Sequence, residues 1–175
     1  MTTITQETLK QELLTAAETK FGFLPNVLRQ MSNSPAALEI YMNGQAALAR
    51  EGTRLTDKQT NLVQLATSQA TDCNYCVAAH SGIGRMQGVD SSILDAVATG
   101  RPIAEADGAN YVNAARLLMD KQGHLSGEDL AKLEQQGIDR EVLFEIIGNI
   151  AVKTISNWVN HIARTKVDKQ FREGA

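Results

Sequence analysis

An all-α fold is what this sequence predicts, and three observations carry the prediction. Apolar residues recur at steps of three and four through most of the chain. Helix-start residues (Ser, Thr, Asp) and helix-stop glycines punctuate it at helical intervals. No segment alternates apolar and polar residues with period two over the length of a strand. At 175 residues and 43% hydrophobic content, a single compact multi-helix domain over residues 1–175 is expected.

The elements follow in order. Residues Thr5 to Lys20 read as a first helix, stopped at Gly22. Pro25 suits the first position of a short helix through Met31. Ser34 followed by Pro35 is an N-cap with Pro at the first helical position, opening a helix that ends near Gly52. Thr56 and Gln59 have the spacing of a capping box and start a helix with Leu62, Val63, Ala66 and Ala70 on one stripe. Asp72 is placed to cap the next helix, which runs to Gly88. Asp90 caps a short helix ended by Gly100, and a longer one is expected from about Ala104 to Gln122. Ser126 and Asp129 open another short helix, ended by Gly137. Asp139 caps the last and longest, to about Lys166, with Leu143, Ile146, Ile147, Ile150, Ile155, Trp158 and Ile162 at helical period.

Composition excludes several functions. The charged fraction is 21% and the net charge −3, which argues against non-specific nucleic-acid binding and against a basic membrane patch. No stretch approaches the roughly 20 apolar residues of a bilayer span. The first six residues lack the basic and apolar regions of a secretory signal, so a cytoplasmic location is expected. There is no glycine-rich phosphate loop, and no flavin, nucleotide or metal cofactor is implied.

The chemistry concentrates in one stretch. Both cysteines and one of three histidines fall in Cys73-x-x-Cys76-x-x-x-His80, at the N-terminus of a central helix. Three, four and seven residues apart is one helix face, so the three side chains line up. In a reducing compartment a lone Cys-x-x-Cys is catalytic or metal-binding more often than a structural staple. With Asp72 as cap, both cysteines sit in the first turns, where the helix dipole favours thiolate. His80 is spaced to take a proton from Cys76, and a second thiol can trap a sulfenic acid as a disulfide. The Asp72 carboxylate disfavours a thiolate at Cys73. That asymmetry makes Cys76 the attacking sulfur and Cys73 the resolving one.

Two other readings compete. The cysteines can be small buried core residues. They can also bind zinc with His80, but that supplies three ligands, and His124 and His161 are single and far along the chain. Haem attachment needs His directly after the second cysteine, where Val77 stands.

The stretch from Leu55 to Gly88, with its Leu-Thr opening, its Ala-Thr-Ser helix end and its Cys-x-Tyr-Cys-x-x-x-His, resembles the core of the alkylhydroperoxidase D-like branch of the carboxymuconolactone decarboxylase superfamily. Gly22-Phe23-Leu24-Pro25-Asn26 and Lys153 to His161 resemble flanking segments of its peroxidase-related members. The resemblance implies an all-helical fold that forms trimers or hexamers. It implies a peroxidase that reduces hydroperoxides through the cysteine pair and is recharged by a dithiol. Catalytic roles fall on Cys76, Cys73 and His80. The family glutamate one helix earlier is Asn61 here, which can orient a water but not accept a proton at neutral pH. Glu145 is a substitute by composition only. A non-catalytic or redox-sensing oligomer with a disabled relay is therefore the alternative to an enzyme.

Three further features carry expectations. Glu145, Asn149, Lys153, Asn157 and His161 form a polar line on the last helix: a solvated or subunit-facing edge, or a wall of the active site. His124 is expected to be a helix-end contact. Gly82 and Gly84, inside a helix, suggest close approach of another helix or subunit.

Overall fold

The computed structural model describes residues 5–103 and 108–172, and among these there are helices and no strands. They are α1 (Gln6–Phe21), α2 (Asn26–Met31), α3 (Pro35–Leu48), α4 (Asp57–Ala70), α5 (Asn74–Met86), α6 (Ser91–Ala98), α7 (Ala109–Asp120), α8 (Gly127–Gln135), α9 (Arg140–Ala163) and α10 (Lys169–Arg172).

Local side chains explain most starts and stops. Thr5, Ser34, Thr56, Asp90, Ser126 and Asp139 each accept a backbone N–H of the helix they open. At Thr56–Gln59 and Ser126–Asp129 the capping box is reciprocal. Gly22, Gly88, Gly100, Gly123 and Gly137 follow helix ends with positive φ, the backbone region that favours glycine.

The sequence reading needs correcting at several ends. Pro25 is the N-cap of α2 rather than its first residue. The helix expected to end near Gly52 ends at Leu48, and the last helix ends at Ala163, with Arg164 as its αL cap. Asp72 does not cap α5. It sits in the αL region at φ 54, and Cys73 is the N-cap. The start expected at Ala104 lies outside the described residues; α7 begins at Ala109. The short α10 was not anticipated.

Helix α4 is the axis of the molecule. It packs against α5, α6, α7 and α9. Asn61 to Ser68 are buried without interruption, so the expected one-sided stripe is fully enclosed for about two turns, while Ala70 is exposed. Enclosure forces its polar residues to find partners inside: Thr67 donates to the Val63 carbonyl (2.9 Å) and Ser68 to that of Gln64 (2.7 Å). Apolar side chains form three clusters around this axis. One joins α4 to α7, α8 and the start of α9; one joins α4 to α6; the third joins α1, α2 and α3 to the first turns of α5.

Two devices bring the site together. Gly84 lets α5 lie close to α4 and α6: a Cβ there would stand 2.5 Å from Leu94 Cδ2 and 3.0 Å from Asn61 Nδ2. This is the close approach the glycine pair suggested. At the other end, Phe171 of α10 lies across Gly82 and meets Phe23 and Tyr75 edge-on, with centroids 5.6 and 6.1 Å apart. Asp168 fixes this tail by accepting from the Asn26 backbone N–H (3.2 Å) and from the Tyr75 hydroxyl. The expectation that no stretch approaches a bilayer span needs correcting: of the described helices, α9 alone is long and apolar enough by length and composition, and here it packs against α2, α3, α4, α5 and α7.

Candidate active site

The start of α5 meets the second half of α9. Cys73 at the N-cap and Cys76 three residues later are free thiols, and both are buried. The Asn160 side-chain amide of α9 donates to Cys76 Sγ at 3.2 Å and stands 3.9 Å from Cys73 Sγ. Ser156 Oγ lies 3.9 Å from Cys76 Sγ and donates to the Lys153 carbonyl at 3.0 Å.

Lys153 completes this cluster. It is only 2% exposed, and Tyr41, then Cys76 and Cys73, favour its ammonium form. Among the described residues no carboxylate lies within ion-pair distance of it. Burial alone pushes a lysine toward the neutral amine. Here the neighbouring acidic groups outweigh that, and its pKa is raised above the ordinary value.

The sulfurs divide their proton unequally. The Cys73 thiol donates to Cys76, which raises Cys73 and lowers Cys76, to about 5. Burial works against a thiolate at Cys76, but Lys153 and Asn160 favour it. Cys73 is also held up by its own burial. The asymmetry expected from Asp72 therefore exists with another cause, since Asp72 is exposed and caps nothing.

His80 is buried one turn beyond Cys76. Its Nδ1 lies 2.7 Å from Asn61 Oδ1, and Asn61 Nδ2 donates to the His80 carbonyl at 3.0 Å. Because the amide nitrogen is committed to that carbonyl, its oxygen faces the ring, and Nδ1 must carry the proton. Nε2 is left as the basic lone pair. Burial, and then the charge of Lys153, hold the imidazole well below its ordinary pKa, so it is neutral at pH 7. His80 hydrogen-bonds neither sulfur among the described contacts. Asn61 thus orients the histidine, not a water.

These groups face a cavity of about 500 Å³ between α1, α3, α4, α5 and α9. Phe21, Leu28, Met42, Leu48, Ile83 and Phe171 contribute apolar wall, while Cys76, His80, Asn61 and Lys153 contribute the polar part. Cys73 is not part of the wall and sits behind Cys76. Tyr75 lines the cavity with a hydroxyl that accepts from the Val27 N–H (3.3 Å) and donates to Asp168; burial and the adjacent carboxylate keep that phenol protonated.

The structure thus gathers Cys73, Cys76 and His80, as the spacing implied, and adds Lys153, Ser156 and Asn160. The polar line expected on α9 splits. Asn149, Lys153 and Asn157 are buried, and Lys153 lines the cavity; His161 is exposed. Glu145 is no substitute base: its carboxylate accepts the backbone N–H groups of Arg54 (2.8 Å) and Leu55 (2.9 Å), away from the sulfurs. His124 is exposed at the α7 end, its N–H on the Lys121 carbonyl. Among the described residues no three His, Cys, Asp or Glu side chains form a group able to hold a metal ion. One signal could have found the missed residues. Val142, Ile146, Asn149, Lys153, Ser156 and Asn160 follow steps of 4-3-4-3-4, one inward seam whose character changes from apolar to polar midway.

Known proteins resemble the chain in sequence over part of it and in fold over nearly all of it. Residues 35–120, about half of the chain, match the carboxymuconolactone decarboxylase family. The alkylhydroperoxidase AhpD core, a peroxidase-related protein from Ralstonia eutropha, superposes with a TM-score of 0.83 at 21% identity, covering 98% of this chain and 93% of that one. A peroxidase-related protein from a Silicibacter species gives 0.79 at 17% identity, over 98% and 90% of the two chains. The debrominase Bmp8 gives 0.72 at 18%, over 94% and 89%. No curated protein matches the sequence. The family match on α3 to α7, with the Cys-x-x-Cys helix inside it, shows that the chain belongs to the carboxymuconolactone decarboxylase family, and the fold it shares with the peroxidase-related proteins agrees.

Proposed function

We propose that the protein is a cysteine-dependent peroxidase that reduces hydroperoxides through a Cys76–Cys73 dithiol/disulfide cycle. One observation carries this reading: of two adjacent buried sulfurs, the one on the cavity wall is the one held as thiolate. A thiolate, not a thiol, attacks a peroxide, and the neighbouring thiol is in place to resolve the product.

The cycle runs as follows. Cys76 Sγ attacks the terminal peroxide oxygen, the O–O bond breaks, and the leaving alkoxide takes up a proton to become an alcohol. Cys76 is now a sulfenic acid. The Cys73 thiol displaces water from it, forming the disulfide. A dithiol protein or small thiol returns two electrons and reopens the pair. His80, on the same cavity wall, keeps a basic Nε2 lone pair and serves as the proton relay of the cycle. The fold alone does not select this chemistry, as the debrominase shows; a thiolate on the cavity wall with a thiol behind it supports it.

Self-association belongs to the same reading. Phe144, Ile147, Trp158 and Ile162 of α9 are exposed, apolar and on a helix whose other faces are buried. A homotrimer or hexamer would cover such a face.

The test is a thiol count before and after one equivalent of hydroperoxide. Loss of both thiols in the wild type, with a trappable sulfenic acid at Cys76 only in Cys73→Ser, supports the cycle and its order. Two thiols that survive peroxide would end it and leave a structural or redox-sensing oligomer.

A further inference from the structure

Lys153 is the one charged side chain buried among the sulfurs, and it has no carboxylate partner among the described residues. We propose that Lys153 is a catalytic residue: its ammonium pairs with the Cys76 thiolate and donates the proton that the leaving peroxide oxygen takes up. This rests on the peroxidase reading for the second of those roles and not for the first.

The geometry supports both. Lys153 and Cys76 line the same cavity of about 500 Å³, so an oxygen attacked by Cys76 there faces a wall that also carries the lysine. Both sulfurs favour the Lys153 ammonium, and among the described residues no carboxylate lies within ion-pair distance of it. The titratable groups on the same wall are Lys20 of α1, Tyr41 of α3, Asp57 of α4, and Tyr75, Cys76 and His80 of α5. Lys20 and Asp57 are solvent-exposed, His80 is neutral, and Tyr75 keeps its proton.

The chemistry balances. The reduced site holds a Cys76 thiolate, a Cys73 thiol and a Lys153 ammonium. Attack on ROOH forms the S–O bond, breaks the O–O bond and passes two electrons from sulfur to the leaving RO⁻. The ammonium gives RO⁻ its proton, leaving ROH and the neutral Lys153 amine. Condensation of the Cys76 sulfenic acid with the Cys73 thiol then releases one water and forms the disulfide. A buried ammonium whose counter-ion has been consumed is strongly disfavoured, so the proton leaves at the step that needs it. Oxidation of the pair therefore exchanges no net proton with solvent. When the dithiol donor reduces the disulfide, one proton returns to Cys73 and one to Lys153.

The experiment compares wild type with Lys153→Met and Lys153→Arg. First, Cys76 alkylation by iodoacetamide is followed against pH by peptide mass spectrometry, without any peroxide. Wild type and Lys153→Arg are expected to reach full rate by about pH 6. Lys153→Met is expected to react at least about tenfold more slowly at pH 6, with its inflection moved up by a unit or more. Second, proton exchange on oxidation by one equivalent of hydroperoxide is read with an indicator dye at pH 7. Wild type is expected to exchange none. Lys153→Arg, whose guanidinium keeps its proton, is expected to take up one. An unchanged inflection in Lys153→Met overturns the pairing, and uptake of one proton by the wild type overturns the acid role. Should Lys153→Met fail to fold, Lys153→Gln reads the same inflection. Wild type that does not react with peroxide sinks the peroxidase reading and the acid role with it, while the alkylation profile still decides the pairing.

Discussion

The two halves of α9 bury the same helical seam in opposite ways. From Val142 to Ile146 the seam is aliphatic and packs with Leu55, Val63, Ala114, Leu118 and Leu133. From Asn149 to Asn160 it is amide, ammonium and hydroxyl, equally buried. Burying polar groups costs free energy unless each finds a partner, and here most do. Asn149 accepts from Gln64 Nε2 (2.8 Å) and donates to the Glu145 carbonyl (3.1 Å); Asn157 donates to Thr71 Oγ1 (2.8 Å). Lys153 and Asn160 instead turn to sulfur. The first half holds the bundle together. The second half is arranged around a thiolate, which needs charge and donors that a stable core does not.

That contrast breaks most visibly under truncation of the apolar half. Ile146→Ala removes a fully buried side chain between α4, α7 and α9, and is expected to cost about 2–5 kcal/mol of unfolding free energy. Cys76 alkylation at pH 7 in the folded fraction should keep its wild-type rate. Chemical denaturation and the alkylation assay check both. A large change in thiol reactivity with little loss of stability would mean the halves are not separable.

The polar half is expected to fail in the reverse manner. Asn160→Ala deletes the amide donor to Cys76. A hydrogen bond to a charged acceptor is worth about 1.5–3 kcal/mol, so the Cys76 inflection should rise by about one to two pH units. In the wild type, reactivity should rise as pH increases through about 5 and then stay flat. No second step near 6.5 is expected, because His80 is buried and neutral there. The same groups make the fold acid-sensitive. Cys76 is lowered on folding, so its stabilisation is present above the unfolded thiol value and is lost as pH falls toward about 5. His80 is also lowered, so below about 6.5 the unfolded chain takes up a proton that the folded one refuses. Both terms have the same sign, and thermal unfolding between pH 8 and pH 5 should show a falling Tm. A Tm that holds or rises toward pH 5 would contradict this.

The comparison also shows what was legible beforehand. Helix starts were readable because a cap is a local event: Thr56 and Gln59 bond to each other's backbone three residues apart. Asp72 misled because an acidic residue before a helix satisfies the capping pattern whether or not its backbone is extended, and here it is in the αL region. The Cys-x-x-Cys-x-x-x-His face was readable from helical period alone. The α9 half of the site was not. Its partners lie about 80 residues away, as Cys76–Ser156 and Cys76–Asn160 show, and helical period reveals that two stripes exist without saying which one turns inward. The apolar stripe turns inward at Leu143 and Ile146 but outward at Trp158 and Ile162, which are 61% and 86% exposed, while Lys153 is buried.

A smaller effect is expected where the tail locks onto the site. Tyr75→Phe leaves the buried Val27 N–H without its acceptor and Asp168 without the phenol, at a cost of about 1–3 kcal/mol. The Phe23, Phe171 and Tyr75 rings should still pack, since the hydroxyl takes no part in their edge contacts. Denaturation measures the cost, and proteolysis after Lys166 or Lys169 reports whether α10 has loosened. Unchanged stability would mean water replaces the phenol at no cost.

The smallest effect separates two meanings of the exposed aliphatic stripe. In an isolated chain Trp158 touches little, and Trp158→Ser should change stability by no more than about 0.5 kcal/mol. In an assembly that covers α9, the same change removes a large aromatic contact, and the loss depends on protein concentration because association is linked to folding by mass action. Unfolding midpoints of wild type and variant across a hundredfold range of concentration therefore decide between them. A difference that stays below about 0.5 kcal/mol throughout makes the stripe bare surface. A wild-type midpoint that climbs with concentration, while that of the variant does not, makes the stripe a subunit contact. It would also explain why α9 keeps two opposite apolar and polar faces: one turned to the sulfurs, the other to a second copy of the chain.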